Sequence, residues 1–219
     1  MTDLKGWSHG RAGPGFRSML RQEHPDLMAD STPTRSIAVP LTGFAAGAVV
    51  ALLAGVFGRA HVPTLAGTTT FGFRTVIDMK VALSSVIVVI AVLQLLGALA
   101  MYGKLGREAP PWLGTAHRVS GAVAALLVVF VAYHCLWTLG LKSGTWADGR
   151  PVSTRTVVHG VLGCAVLGAL VVKLVAVRSR RAPGWFLPVA GGLLFTLLIA
   201  AVMTSALWYV SAKGWPAFG

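Results

Sequence analysis

Residues 117–140 read HRVSGAVAALLVVFVAYHCLWTLG, and this stretch decides the fold. From Val119 to Leu139 it runs 21 residues without a formal charge. About 20 residues of helix are needed to cross roughly 30 Å of hydrocarbon. A membrane-spanning strand would be shorter and would alternate in polarity, and this run does neither. It is therefore predicted to be a transmembrane helix, with His134 left inside it about five residues from the end.

Four further runs of the same kind lie on either side: 37–58, 76–102, 157–177 and 185–210. Together with 119–139 they predict an all-α membrane protein, a five-transmembrane-helix bundle occupying residues 37–212, with a short outer tail at 213–219. Composition agrees, because 55% of the 219 residues are hydrophobic and only 12% charged, unlike a soluble domain. Residues 1–36 are polar, rich in Gly, Pro and Ser, and mixed in charge. Such a segment buries too little apolar surface to order itself and is expected to be a disordered cytoplasmic tail. No early apolar stretch suggests a cleaved leader, and Met28 is an alternative start.

The net charge of +12 invites a nucleic-acid reading, but the basic residues lie between the apolar runs, as membrane-flanking charges do. A tail in the cytoplasm would put 12 basic residues on that side against 7 on the other, which predicts N-terminus in and C-terminus out. Trp112, Trp137, Trp146, Trp185, Trp208 and Tyr209 fall near the span ends, where amphipathic rings settle. Two cysteines, Cys135 and Cys164, make no disulfide framework or zinc spacing and read as small packing residues. No nucleophile, general base or metal-hydroxide constellation is visible, so neither a hydrolase nor a transferase is indicated.

Ionisable side chains inside a bilayer are costly, so the histidines carry the functional signal. His134 near the end of the third span and His159 near the start of the fourth both fall within about 8 Å of one boundary, at about 1.5 Å rise per residue. Two neutral imidazoles at matched depth on antiparallel helices can ligate the two faces of one haem iron. Gly160 and Gly163 would leave room for a flat macrocycle beside His159. Arg150 and Arg155 would pair with its carboxylates. His61, just past the first span, competes with His159 for the role of partner. His117 is 17 residues before His134, roughly 26 Å along the axis and about 100° round the helix, so it would serve only a separate inner haem, for which Met101 is at similar depth. The plainer account of each histidine is a bond to a backbone carbonyl or to headgroups.

Asp78 and Lys80 at the outer start of the second span read as interfacial anchors or a proton entry point. Lys173 reads as a side chain reaching for the inner interface, and Gln94 as a helix-to-helix bond.

The third and fourth spans resemble the haem-carrying helices of the cytochrome b561 and ferric-reductase-like transmembrane families, in which an H-R-x-x-G helix start is followed by a later histidine in the same helix. The matching residues are His117, Arg118, Gly121 and His134, over about 60 of the 219 residues. The in-helix spacing of 17 exceeds the 13 or 14 usual there, a second complete histidine pair is absent, and no flavin- or nicotinamide-binding domain follows. The resemblance implies non-covalent haem b held by His134 and His159, with His117 as a further candidate, and electron transport at the membrane. As a whole the chain also resembles small multi-pass membrane proteins of high-GC bacteria, which implies the bacterial plasma membrane. Two functions are therefore expected in competition. One is a haem protein passing electrons between the quinone pool and an outer-face redox partner; the other is a non-redox accessory or structural subunit of a larger membrane complex. Small-solute transport ranks below both, because the span centres are nearly uncharged.

Overall fold

A computed structural model of the protein describes residues 37–106, 108–142, 144–145, 149 and 151–218. The tail expectation for residues 1–36, and Arg150 and Trp146, lie outside the described residues. Five helices are long and apolar enough to cross a membrane. They are α1 (Ala38–Ala60), α2 (Val76–Met101), α3 (Leu113–Thr138), α4 (Thr154–Arg178) and α5 (Phe186–Val202). The last continues through a π-helical turn, Met203–Leu207, into α6 (Trp208–Lys213).

The helix starts follow from local chemistry. Thr75 caps α2 by accepting the Asp78 amide at 3.0 Å, and its hydroxyl donates to the Asp78 carboxylate at 2.8 Å. This reciprocal pair satisfies a backbone donor that the first turn would otherwise leave bare. Ser153 caps α4 in the same sense, accepting the Thr156 amide at 3.3 Å, which fixes the start at Thr154, three residues ahead of the apolar run. α3 likewise begins at Leu113, six residues before the uncharged stretch. Hydropathy locates the part of a helix that fits hydrocarbon, whereas the hydrogen-bonded ladder runs on into the headgroup zone.

The most extensive packing joins α1 to α4, followed by α4 to α5 and α2 to α3. Small residues make the α1–α4 crossing close. A Cβ on Gly47 would stand 2.6 Å from the Gly168 carbonyl oxygen, and one on Gly168 would stand 2.5 Å from that of Gly47. With lipid outside as apolar as the side chains, such backbone approach is what holds membrane helices together. Below the crossing, Phe186 at the start of α5 is fully buried and packs with Val172, Ala176 and Ala190. The α2–α3 pair meets the rest mainly through α2 against α5 and the π turn. α3 and α4 are consecutive yet touch only lightly, and along α3 only His134 and Thr138 are buried.

The loops 61–75 and 139–153 and the segment after α6 share one end of the bundle, where Arg74 N donates to Ala217 O at 3.2 Å and Phe73 stacks on Phe218 at 4.3 Å. Loops 102–112 and 179–185 form the other end.

Candidate functional site

The polar chemistry inside the helices collects in two places. At the end bearing loops 61–75 and 139–153, His134 is only 1% exposed. Its Nδ1 lies 3.0 Å from the Phe130 carbonyl one turn back in α3. A carbonyl can only accept, so Nδ1 carries the proton. Its Nε2 takes the Thr69 N–H at 3.5 Å, so it is a lone-pair acceptor, and the ring is neutral. That second bond is long for N–H···N, well beyond the usual 2.9–3.0 Å of protein hydrogen bonds. Phe130 and Tyr133 flank the ring, and the Thr138 hydroxyl bonds the His134 carbonyl.

His159 is held by a different neighbour. Its Nδ1 lies 3.0 Å from the Ala201 carbonyl of α5, with the Thr204 hydroxyl 3.4 Å away. Nδ1 is again the protonated nitrogen, and Nε2 has no hydrogen-bond partner among the described residues. The Ala201 carbonyl lies in the turn leading into the π turn, and the Ser205 hydroxyl also bonds it, at 2.8 Å. A π turn widens the helix by one residue and leaves carbonyls available to outside donors, a feature frequent at functional sites. Arg155 uses another of them, donating to Thr204 O at 2.7 Å, while its guanidinium lies 3.5 Å over the Trp208 ring.

The glycines expected to leave space beside His159 differ from each other. Gly163 faces open space, whereas a Cβ on Gly160 would stand 2.5 Å from the Leu141 side chain. Leu141 comes from the loop joining α3 to α4, where its N–H bonds Gly58 O at 2.6 Å. The volume beside Gly160 is thus held by the tip of a flexible side chain and not by backbone.

His61 joins the same run of rings as His134, through Trp137 and Tyr133. It ends α1, its ring is stacked between Phe57 and Trp137 at 5.0 and 4.4 Å, and its Nε2 lies 3.2 Å from Trp137 O. Nε2 is therefore protonated, the reverse of the tautomer in His134 and His159. His117 is at the other end of α3, where its Nδ1 is buried without a hydrogen-bond partner among the described residues and its carbonyl accepts Gln94 Nε2 at 2.8 Å. Gln94 also reaches Ser120 Oγ at 2.7 Å, so it ties α2 to α3 as an amide in a span should. Cys135 and Cys164 are both free thiols.

Two residues carry more than the sequence suggested. Asp78 and Lys80 stand at the start of α2, as expected, yet each is only 7% exposed. Tyr209 of α6 donates to Asp78 Oδ1 at 2.8 Å, which with Thr75 occupies both carboxylate oxygens. Lys80 makes no hydrogen bond or ion pair among the described residues. The available signal was a pair of charges entering an apolar run; how far they would be covered depends on how α2 meets α5 and the π turn.

Five apolar spans with ionisable side chains enclosed between them define a multi-pass helical membrane protein. The chain belongs to the family of unknown function DUF6529, whose family model matches residues 38–217. No curated protein and no solved structure matches it.

Proposed function

We propose that this protein is a b-type haem protein of the bacterial plasma membrane, passing electrons between the quinone pool and an outer-face redox partner, with His134 and His159 as axial ligands. The observation that carries the reading is the shared tautomer of the two rings. In each, Nδ1–H is tied to a backbone carbonyl, and Nε2 faces away from that carbonyl, without a partner among the described residues in His159 and meeting only the Thr69 N–H at 3.5 Å in His134. A ligating histidine normally donates its other ring nitrogen to a carbonyl or carboxylate in this way, which fixes the ring and raises its basicity. The donor set therefore fits a bis-imidazole haem, and the light packing between α3 and α4 is consistent with the same position. Haem iron, when bound, supplies the one-electron chemistry. The chain's own part is to orient two imidazoles, to exclude water with Phe130, Tyr133 and the loop carrying Leu141, and to insulate the site within apolar helices. His61 has its Nε2 proton committed to Trp137 O and takes no part. The resemblance of His117, Arg118, Gly121 and His134 to the cytochrome b561 pattern points the same way, as does the excess of basic residues on the N-terminal side for an outward-facing site.

The competing reading, an accessory or structural subunit of a larger membrane complex, draws on the apolar stripe of α3 at Val119, Val123, Leu126 and Val129, which is exposed to another chain as well as to lipid. A visible spectrum of protein purified in detergent after expression with ample haem separates the two. The haem reading expects b-type bands that vanish in His134→Ala and in His159→Ala and persist in His61→Ala. Colourless wild-type protein would leave only the accessory reading.

A further inference from the structure

The chain between α1 and α2 turns back along the last turns of α3. It touches Phe130, Tyr133, His134 and Trp137, whose spacing of three, four and seven residues puts them on one face of that helix. The contacts pair in antiparallel order. Thr64 N donates to Trp137 O at 3.2 Å, and Trp137 Nε1 donates to Ala66 O at 2.8 Å. Further along, Tyr133 Oη donates to Gly67 O at 3.4 Å, Thr69 N donates to His134 Nε2 at 3.5 Å, and Phe71 stacks on Phe130 at 5.5 Å. At about 1.5 Å per residue the chain follows α3 inward for roughly 10 Å. Irregular backbone beside a span is either buried in protein or lines a water-filled cavity. Gly67, Thr69 and Phe71 are exposed, so water and not lipid fits this flank.

The hold on the segment is uneven. Its ends are fastened, one by Trp137 and the other by the contacts of Phe73 and Arg74 with Phe218 and Ala217. Between them, residues 67–72 reach α3 only through the two long hydrogen bonds and the one ring contact. This stretch is bounded by Gly67 and Gly72, with φ of 74° and 81°, a region glycine enters without steric cost. Phe71 beside the second glycine has φ 47°, a conformation that a side chain rarely adopts and that persists only where its surroundings hold it. Two permissive pivots, one strained residue and the loosest bonds therefore coincide over a single atom, Nε2 of His134.

We propose that residues 67–72 are a flap over His134, which in its closed position sets the Thr69 N–H against Nε2 and swings out on Gly67 and Gly72 to let a ligand reach that nitrogen. The inference rests on the haem reading above for the identity of the ligand; the closed flap rests on the contacts alone. Phe71 is the latch. Its ring on Phe130 holds the strained backbone down, and release lets that backbone relax. Until haem arrives, the nitrogen that would bind the iron is covered and partnered.

The test reads the reactivity of His134 Nε2 in haem-free full-length protein held in nanodiscs. Diethyl pyrocarbonate carbethoxylates an unprotonated imidazole nitrogen, and peptide mass spectrometry gives the rate at each histidine for the wild type, Phe71→Ala, Tyr133→Phe and Phe71→Tyr. Phe71→Ala should raise the His134 rate about fivefold, the factor that one aromatic contact or one hydrogen bond represents. Tyr133→Phe should raise it in the same direction, and Phe71→Tyr, which keeps the ring, should match the wild type. His159, tied to Ala201 of α5 and not to the flap, should react at one rate in all four proteins. An unchanged His134 rate in Phe71→Ala overturns the inference. So does equal acceleration at His159, which would mean a general loosening of the bundle. Entry of the ligand is read by stopped-flow absorbance with haem, where Phe71→Ala should accelerate binding by the same factor and leave the final spectrum unchanged. Haem that binds at the wild-type rate overturns the role of the flap in entry. Failure of the haem reading itself is separable: it appears as absent haem binding in the wild type, while the pyrocarbonate rates still decide the flap.

Discussion

At the scale of single residues, the informative feature is which nitrogen of each histidine holds the proton. The sequence placed His134 and His159 at matched distances from one boundary, but it carried no sign of their tautomers. Those depend on carbonyls contributed by Phe130 within α3 and by Ala201, 42 positions away in α5. Position along a span was therefore legible, and ring chemistry was not. The same holds for Asp78 and Lys80, whose place at the start of a span was readable and whose burial there was not. Tyr209→Phe provides a residue-scale check. It removes the donor to Asp78 Oδ1 and leaves an enclosed carboxylate short of one partner, so stability should fall by about 1–3 kcal/mol. Denaturant or thermal unfolding in detergent would show this. Because Tyr209 is tied to Asp78 and not to His159, the haem proposal expects this variant to match the wild type in any haem it binds.

At the scale of elements, two features explain the arrangement of the spans. The first is the glycine contact between α1 and α4. Gly47→Val should destabilise the bundle by about 1–3 kcal/mol or more, because the obstructing atom is a backbone oxygen that cannot turn aside. Gly55→Val, in the same helix with nothing within 4 Å of its Cβ, should leave the melting temperature close to that of the wild type. Equal losses for both would mean that helix propensity, and not the crossing, is responsible. The second feature is the π turn at Met203–Leu207. Nothing in the run TLLIAAVMTSALWYV announces it, since residue type barely distinguishes five residues per wide turn from four. Yet it frees the carbonyls that His159 and Arg155 use, and it sets where Tyr209 points. Helix existence was readable from uninterrupted apolar length, while helix starts moved outward by three to six residues at α4 and α3, where polar caps extend beyond the apolar core.

At the scale of the whole molecule, alternation of the five spans puts loops 61–75 and 139–153 at one end and 102–112 and 179–185 at the other. On the distribution of basic residues, the first end is expected to face outward. In a Cys135→Ala, Cys164→Ala background, Lys142→Cys should react in intact cells with a membrane-impermeant maleimide, and Lys104→Cys should react only after lysis. The opposite pattern would turn the bundle over and place the His134 and His159 end in the cytoplasm.

The stacking of Phe73 on Phe218, with the Arg74 amide on the Ala217 carbonyl, fastens the final residues to the connection between the first two spans. Load applied to the C-terminus, whether from a bulky fusion or a surface tether, would therefore be felt first at Arg74 and Thr75, next to the cap that starts α2 and one turn from Lys80. A reporter joined there would act as a lever on the enclosed charges, whereas one spliced into 102–112 would pull on the far end of the bundle and leave them at rest.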